Sequence, residues 1–316
     1  MVKLWVANTD PDWFDFLAGQ PDIDEVNFWQ PSGGTQFGAI QPGELFLFKL
    51  KSPRNAIGGF GVLDRANNYP LSLAWEALGI KNGARTLQEM RERVGKYRSD
   101  ARLGLDYTIG CRIVVQPVFF PRELWIPQPE SWSRQIVTGK AYDTAEREGR
   151  VLWDRLMEAA QAAQGAARLH DARVPFLAQG ERYGPPRLVT PRRGQGAFRL
   201  AVTDAYGRQC AISGGKVLPA LDAAHIRSYA DGGEHDVANG LLLRRDIHSV
   251  FDAGYITFDD ELKMVVSDAV RTVFNNGNEY RRLHGQKLRA PDDPGLRPSV
   301  EHLRWHQSER FERFVA

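Results

Sequence analysis

The sequence predicts an α+β protein with two domains, and three observations support this prediction. Residues 1 to about 130 consist of short apolar runs broken by glycine and proline, which is typical of strands and turns. Residues 142–169 are rich in Ala, Glu, Gln and Leu and form the strongest helix signal of the chain. The last segment, from about residue 188, alternates short helical and strand patterns. A length of 316 residues suits two domains better than one.

The first segment contains four predicted strands and two predicted helices. Both helices have apolar residues at helical spacing, LSLAWEALG at 71–79 and TLQEMRERVGKY at 86–97. The strands are the apolar runs KLWVAN at 3–8, GELFLFKL at 43–50, AIGGFGVL at 56–63 and IGCRIVVQPVFF at 109–120. Within the second run Phe46 and Phe48 are expected to be core residues. Several strands with two inserted helices indicate a small, curved α+β barrel.

The second segment follows a stretch at 170–187 with many Gly and Pro residues, which we interpret as an interdomain linker. Its first element is a predicted helix, AFRLAVTDAYG, and a strand then leads into His225. A short helix near His248 and a hairpin over YITFDDELKMVVS complete the prediction. The expected domains are therefore 1–140, a helix and linker over 141–187, and 188–316.

Composition excludes several classes of protein. Hydrophobic residues make up 42% and charged residues 25%, which is ordinary for a globular protein. No apolar run approaches the roughly 18 residues that a membrane helix needs. Two cysteines, Cys111 and Cys210, cannot form a disulfide framework. We therefore expect a protein of a reducing compartment, located in the cytoplasm and without a membrane partner.

The formal net charge is only +2, so any attraction to DNA must come from local clusters. Two such clusters are present, Arg192-Arg193 with Arg199 and Arg281-Arg282 with Lys287 and Arg289. Arg192, Arg193 and Arg227 are the candidate DNA-binding residues. Taken by itself, each cluster is better interpreted as an ordinary solvated face.

Three polar residues of the stretch 221–258 suggest chemistry. Asn239 follows His225 by fourteen residues and precedes His248 by nine. A histidine on a strand can take a proton from water, because its ordinary pKa lies near 6.5. An asparagine in the following loop can fix the backbone or orient that histidine.

The second histidine belongs to a predicted helix and has a carboxylate neighbour on the same face. His248 and Asp252 are four residues apart, so they project from one side of the helix. An imidazole and a carboxylate are suitable ligands for a divalent ion. Such an ion polarises a phosphoryl oxygen and stabilises the leaving oxygen of a phosphodiester.

These blocks resemble the HNH endonuclease family, which has a ββα-metal fold. The similarity is carried by Ala-Ala-His225-Ile, Asn239-Gly-Leu-Leu-Leu and His248-x-x-Phe-Asp252-x-Gly, and covers about 205–270. The resemblance implies that His225 is the general base, that Asn239 orients the loop, and that His248 helps to hold one divalent metal. All three are thus expected to be catalytic.

The chain departs from the family at two points. Many members have an acidic metal ligand directly before the base, where this chain has Ala224. Asp222 or Asp252 could replace it, or DNA and water could. The expected cofactor is Mg²⁺, Mn²⁺, Co²⁺ or Ni²⁺. Some relatives hold a structural zinc through Cys-x-x-Cys pairs, but Cys210-Ala-Ile-Ser213 keeps only one cysteine, so no structural zinc is expected.

The block at 27–63 resembles the PUA-like superfamily, especially the EVE and SRA-like modules that read modified bases. The similarity covers roughly 1–135 and is carried by Trp5, the Phe28-Trp29 pair, the run Pro-Gly-Glu-Leu-Phe and the glycine-rich strand after it. It implies an extruded base that stacks on an aromatic wall. Trp29 is the first candidate for that wall and Phe28 the second, with Gln30 and Ser32 as polar contacts.

The layout resembles modification-dependent restriction enzymes of the EVE-HNH type. It implies an endonuclease that recognises 5-methyl- or 5-hydroxymethylcytosine in double-stranded DNA by base flipping and cuts nearby. A homodimer is one arrangement that would cut both strands. Two alternatives stay open. The front domain could read another feature, such as a specific sequence, RNA or phosphorothioate DNA, or the chain could be a nucleic-acid-binding module without catalysis. His235 is expected to be solvated, and His302 and His306 to be surface or packing residues rather than metal ligands.

Overall fold

The chain divides into two compact units, Met1–Gly194 and Gln195–Ala316. The structure, a computed structural model, describes residues 2–34, 36–98, 106–168, 193–274 and 277–311, and side chains within the helix that ends at 168 only as far as 163. The predicted end of the linker at 187 lies outside the described residues. The predicted domain limits therefore stay predictions.

The first unit is a mixed α+β structure, which confirms the predicted fold class. Its described strands are β1 (Lys3–Thr9), β2 (Glu25–Gln30), β3 (Leu45–Leu50), β4 (Ala56–Pro70), β5 (Thr108–Phe119), β6 (Ile126–Pro127) and β7 (Gly139–Asp143). Its described helices are α1 (Pro11–Ala18), α2 (Leu71–Leu78), α3 (Leu87–Gly95) and α4 (Arg147–Arg168). All four predicted strands and both predicted helices of this segment are present. The strands β2, β6 and β7 and the helix α1 were not predicted.

The strands of the first unit form one seven-stranded sheet in the order β2-β5-β4-β3-β1-β7, with β6 also paired to β4. Strand β1 runs parallel to β3, and the other neighbours are antiparallel. The alternating apolar residues of β3 lie in the interior, where Phe46 and Phe48 are both fully buried as predicted. Trp13, Phe14 and Leu17 of α1 are buried in the same cluster, so α1 covers one face of the sheet.

Helix α4 packs on the first unit. It contacts β1, β6 and β7, and Leu152, Trp153 and Leu156 are buried. The helix was predicted from residue 142, but residues 139–143 form β7 instead, because they pair with β1. Burial of its apolar face fixes α4 to this sheet.

The second unit begins with α5 (Gln195–Ala205) and continues with a β-hairpin and a helix. Its described elements are β8 (Leu221–His225), β9 (Gly240–Arg244), α6 (Arg245–Asp252), β10 (Ile256–Phe258), β11 (Met264–Val266), α7 (Ala269–Thr272), α8 (Asn278–Arg281) and α9 (Val300–Glu309). The predicted late hairpin is present as the antiparallel pair β10 and β11. Phe198 and Leu241–Leu243 are at the centre of the core. None of the described helices of either unit is long and apolar enough to cross a membrane.

Candidate active site

The strands β8 and β9 and the helix α6 bring the predicted catalytic residues of the second unit together. The two strands pair antiparallel, and His225, the last residue of β8, lies opposite Gly240. Helix α6 begins directly after β9 and carries His248. This arrangement is the ββα order that the sequence predicts.

The ring of His225 is held between an aromatic ring and a second imidazole. Phe198 of α5 stacks on it with ring centroids 4.0 Å apart and planes 15° apart. The Nε2 atom of His225 lies 2.9 Å from Nδ1 of His235. The prediction that His235 is merely solvated is therefore wrong. Its loop folds back over β8 and places the ring against His225.

Asn239 is fully buried and binds the backbone at two points of the 226–239 loop. Its Oδ1 accepts a hydrogen bond from the backbone N–H of Arg227 at 2.9 Å, and its Nδ2 donates to the carbonyl of Arg227 at 2.9 Å. The same Nδ2 also donates to the carbonyl of Glu234 at 2.9 Å. These contacts fix the backbone just after His225 and just before His235.

Close packing explains the glycine that follows Asn239. A Cβ atom on Gly240 would lie 2.4 Å from Cγ2 of Val202 and 3.0 Å from Cζ of Phe198. Because β9 approaches α5 this closely, only glycine fits without movement. The close approach also keeps Phe198 against His225.

His248 lies between two carboxylates. Its Nδ1 is 3.3 Å from Oδ2 of Asp222, and its Nε2 is 3.1 Å from Oδ2 of Asp252. Asp222 belongs to β8 and also lies 3.7 Å from Nε of Arg199. The structure thus brings all three predicted metal-site residues together.

The electrostatics of the two site histidines differ. Burial, with His235 and His248 nearby, lowers the pKa of His225 to about 4, so its ring is neutral at pH 7. Burial also opposes a charge on His248, but the hydrogen bonds that its ring donates to Asp222 and Asp252 outweigh burial and raise the pKa of His248 to about 9. His248 must therefore lose a proton before one of its ring nitrogens can bind a metal.

The chemistry of the donor set fits a divalent ion, because Asp222, His248 and Asp252 offer one imidazole and two carboxylates. Within the described ranges, no group of three His, Cys, Asp or Glu side chains is already arranged as a metal site. His248 uses both ring nitrogens for the carboxylates, so it would have to release one of these contacts to bind a metal. The three side chains therefore suit a divalent ion in the type of ligand they offer, but not in their present arrangement.

The candidate DNA-binding arginines have protein partners where they are described. Nε of Arg193 lies 2.7 Å from Oδ1 of the buried Asp64. Nε of Arg227 donates to the carbonyl of Asp231 at 2.7 Å, and its guanidinium lies 5.3 Å from the ring centroid of Trp305. Arg192 lies outside the described residues. A role of these arginines in DNA binding stays a prediction.

His306 has the predicted packing role. It is 2% exposed and stacks on Phe251 with ring centroids 3.9 Å apart. Its Nδ1 lies 2.9 Å from Oγ1 of Thr257, and its Nε2 lies 3.3 Å from the carbonyl of Phe251. Burial is the largest cause that lowers the pKa of His306 to about 4.

The first unit contains a cavity of about 190 Å³ with an aromatic wall. This is below the range of about 300–1,000 Å³ found for drug-sized ligands, so the occupant would be roughly the size of one ring system. The aromatic lining residues are Trp5, Trp13, Phe28, Trp29 and Tyr97. Gln30 also lines the cavity, whereas Ser32 is not among its lining residues. Sequence reasoning found Phe28, Trp29 and Gln30 and missed the other aromatic residues.

The polar part of this cavity contains a buried arginine. Arg112 is 6% exposed, and its Nη2 donates a hydrogen bond to Oε1 of Gln30. Burial lowers the pKa of Arg112 to about 10. The ring Nε1 of Trp29 donates to the carbonyl of Asn82 at 3.0 Å, which fixes the indole. The cavity therefore combines rigid aromatic rings with hydrogen-bond donors.

Comparisons with known proteins identify the second unit. Residues 210–259 match the HNH endonuclease family HNH_2. No curated protein matches the chain. The ASCH structure from Zymomonas mobilis aligns with 47% of this chain and 94% of its own at 10% identity and a TM-score of 0.30. A structure described as the modification-dependent TagI restriction endonuclease aligns with 96% of this chain and 80% of its own at 15% identity and a TM-score of 0.29.

TM-scores of this size do not establish a shared fold. The family match, by contrast, spans Asn239, His225 and His248 together with Asp222 and Asp252. The second unit therefore contains an HNH endonuclease domain, and the protein is a nuclease.

Proposed function

We propose that this protein is a modification-dependent DNA endonuclease. In this proposal the second unit hydrolyses phosphodiester bonds, and the first unit recognises 5-methyl- or 5-hydroxymethylcytosine in double-stranded DNA. The observation that carries the proposal is the aromatic cavity around Trp29, in the same chain as an HNH endonuclease domain.

His225 is the proposed general base. It takes a proton from a water molecule as the water oxygen bonds to phosphorus and the bond from phosphorus to the leaving sugar oxygen breaks. The leaving oxygen then takes a proton from solvent. Burial keeps the ring of His225 neutral at pH 7, which is the state in which it can accept a proton from water.

Asp222, His248 and Asp252 are the proposed metal ligands. A bound divalent cation such as Mg²⁺, Mn²⁺, Co²⁺ or Ni²⁺ would supply charge stabilisation at the phosphoryl group. Asn239 is the proposed loop organiser, and its three hydrogen bonds to the backbone support that role.

The first unit is proposed to bind the modified base after it has left the helical stack, because a base in the duplex offers no free face to a pocket. Trp29 stacks on the base, and Gln30 and Arg112 contact its polar edge. The size of the cavity supports an occupant no larger than one base. A double-strand break would need either two chains or two successive nicks. Of these two routes, we propose that two copies act together.

A digestion experiment tests the proposed substrate. Matched plasmids with cytosine, 5-methylcytosine or 5-hydroxymethylcytosine are treated with the protein and each of the four metals. We expect cleavage of the modified plasmids in excess of the unmodified one. Equal cleavage of all three would reject recognition of modified cytosine and leave the nuclease assignment intact.

Substitution of His225 tests the proposed base. His225→Ala should abolish cleavage and leave DNA affinity unchanged, because the ring acts in the chemical step. Gel-shift titration and cleavage of the same labelled duplex measure the two properties. Cleavage at the wild-type rate would reject His225 as the base.

Substitution of Trp29 tests the proposed pocket. Stacking contributes roughly 1–3 kcal/mol per base, so Trp29→Ala should weaken binding of a 5-methylcytosine duplex by about 5- to 140-fold. Binding of the unmodified duplex should not change. Trp75→Ala is the matched control, since Trp75 is half-buried in α2 and does not line the cavity. An unchanged preference in Trp29→Ala would place the pocket elsewhere.

A further inference from the structure

The contact between His225 and His235 is the feature of the active site that the HNH residues do not explain. Nδ1 of His235 lies 2.9 Å from Nε2 of His225. Tyr229 stacks on the ring of His235, with ring centroids 5.0 Å apart and planes 7° apart. Among the described residues, no other side chain or backbone group forms a hydrogen bond with the ring of His225. The ring of His235 is thus fixed by its contacts with Tyr229 and His225, and it forms a hydrogen bond with one nitrogen of the proposed base.

A hydrogen bond between two neutral imidazoles has only two arrangements, because one nitrogen must donate and the other accept. If His235 donates from Nδ1, Nε2 of His225 uses its lone pair in that bond and Nδ1 of His225 carries the ring hydrogen. Neither nitrogen of His225 can then take a proton from water. If His225 donates from Nε2, its Nδ1 keeps a free lone pair. Only the second arrangement is compatible with a general base.

We propose that His235 is a positioning residue that selects this second arrangement. Its Nδ1 accepts the Nε2–H of His225 and leaves Nδ1 of His225 free for the attacking water. The proposal rests on the proposed role of His225 as the base. During the reaction the water proton moves to Nδ1 of His225, and the Nε2–H bond to His235 is kept throughout. His225 then returns its extra proton to solvent.

The surroundings of His235 fit this role. Phe198 covers one face of His225 and offers only carbon atoms, so it fixes the plane of the ring without choosing the tautomer. The other titratable groups near His225 are His248, Asp222 and Asp252, which act on it through charge. Selection of the tautomer is therefore left to His235. The backbone before His235 is fixed as well, because the carbonyl of Glu234 accepts from Asn239.

Two substitutions separate the hydrogen bond from the stacking. His235→Asn keeps an acceptor oxygen near the position of Nδ1 and loses the ring. His235→Phe keeps a ring that can stack on Tyr229 and loses the acceptor. In single-turnover cleavage of a duplex with 5-methylcytosine, we expect His235→Asn to stay within about threefold of the wild type. Because a general base contributes roughly 10²- to 10⁴-fold, His235→Phe should be at least 10-fold slower.

Controls show whether the effect is one of positioning. DNA affinity and the metal concentration that gives half-maximal cleavage should be unchanged in both variants. His284→Ala is the matched control, because His284 contacts the backbone of Val266 away from the site. Equal rates for His235→Phe and His235→Asn, whether both fast or both slow, would overturn the proposal. Full activity of His225→Ala would instead reject the proposed role of His225 as the base, on which this proposal rests.

A direct measurement determines the tautomer of His225 in the wild-type protein. Two-bond ¹H–¹⁵N correlation spectra of the full-length protein with ¹⁵N-labelled histidine distinguish the two tautomers of a neutral ring. His225→Ala assigns the signals of His225 by their loss. We expect the Nε2–H form of His225 at pH 7. The Nδ1–H form would overturn the proposal.

Discussion

Substitution of Asn239 is the sharpest test of how the active-site loop is held. Asn239→Ala removes all three side-chain hydrogen bonds to the backbone of Arg227 and Glu234. Each such bond contributes about 1 kcal/mol net, so the variant should lose about 3 kcal/mol of unfolding free energy. For a unit of this size, that corresponds to a decrease of roughly 10 °C in Tm.

Asn239→Asp makes the test more specific. The carboxylate keeps the acceptor for the N–H of Arg227, but it places a charged oxygen near two carbonyl oxygens where an N–H group stood. Asn239 is fully buried, so water cannot relieve this repulsion. We therefore expect Asn239→Asp to be less stable than Asn239→Ala at pH 7.

Urea unfolding followed by far-UV circular dichroism measures both effects, and single-turnover cleavage is recorded in parallel. Asn278→Ala is the matched control, because Asn278 is exposed at the start of α8 and its removal should change stability by less than about 0.5 kcal/mol. If Asn239→Ala unfolds at the wild-type urea concentration, the loop is not held as the structure indicates. If it is also fully active, Asn239 does not organise the site.

Three further predictions follow from the second unit. Burial of His306 lowers its pKa to about 4, so its stabilising contribution is complete above about pH 6.5. About 3 kcal/mol should be lost as the pH falls to 4; thermal melts of His306→Gln should show a weaker pH dependence over this range, and an equal one would contradict the burial argument. Gly240→Ala should lose about 1–3 kcal/mol in urea unfolding and cleave more slowly, because its Cβ would lie 2.4 Å from Val202; a stable, fully active variant would show that the packing can relax. Asp252→Asn should need at least about tenfold more Mn²⁺ for half-maximal cleavage, since a neutral amide is a weaker ligand; an unchanged Mn²⁺ titration would remove Asp252 from the metal site.

Local patterns were sufficient for most of the fold. The strands β3, β4 and β5 are apolar runs bounded by turn residues, and their burial in one sheet matches that pattern. Strand β2 was missed because its run, EVNFWQ, contains buried Glu25 and Asn27. Their partners come from distant residues: Lys81 pairs with Glu25 at 2.9 Å, and Asn82 accepts from Asn27 at 2.8 Å. No feature of the local sequence predicts polar partners that lie so far along the chain.

The candidate sites likewise combine residues that a local pattern predicts with residues that only the fold brings together. His225, Asn239 and His248 could be found because they lie in one continuous stretch with family-like spacing. Arg112, in contrast, lies on β5 and meets Gln30 only because β5 pairs with β2. A single sequence contains no information on that pairing until the strand order is known. The cavity was therefore only half predicted.

His235 was missed for a different reason, because the polar composition of its loop is that of a solvated segment. The adjacent pair of glycines was the available signal. A Cβ on Gly233 would lie 2.0 Å from the carbonyl oxygen of Arg227, so the loop must cross its own backbone closely at this point. A loop that needs glycine for close approach is folded back on itself rather than extended into solvent.

Asn239 connects these observations into one physical account of the active site. It bonds to Arg227, two residues after His225, and to Glu234, one residue before His235. A single buried amide therefore fixes the chain next to each of the two histidines, whose ring nitrogens lie 2.9 Å apart. On this account the asparagine of the stretch acts on the chemistry indirectly, through the geometry of two imidazoles. In our proposal, His225 can serve as a base only while Nδ1 of His235 accepts its Nε2–H.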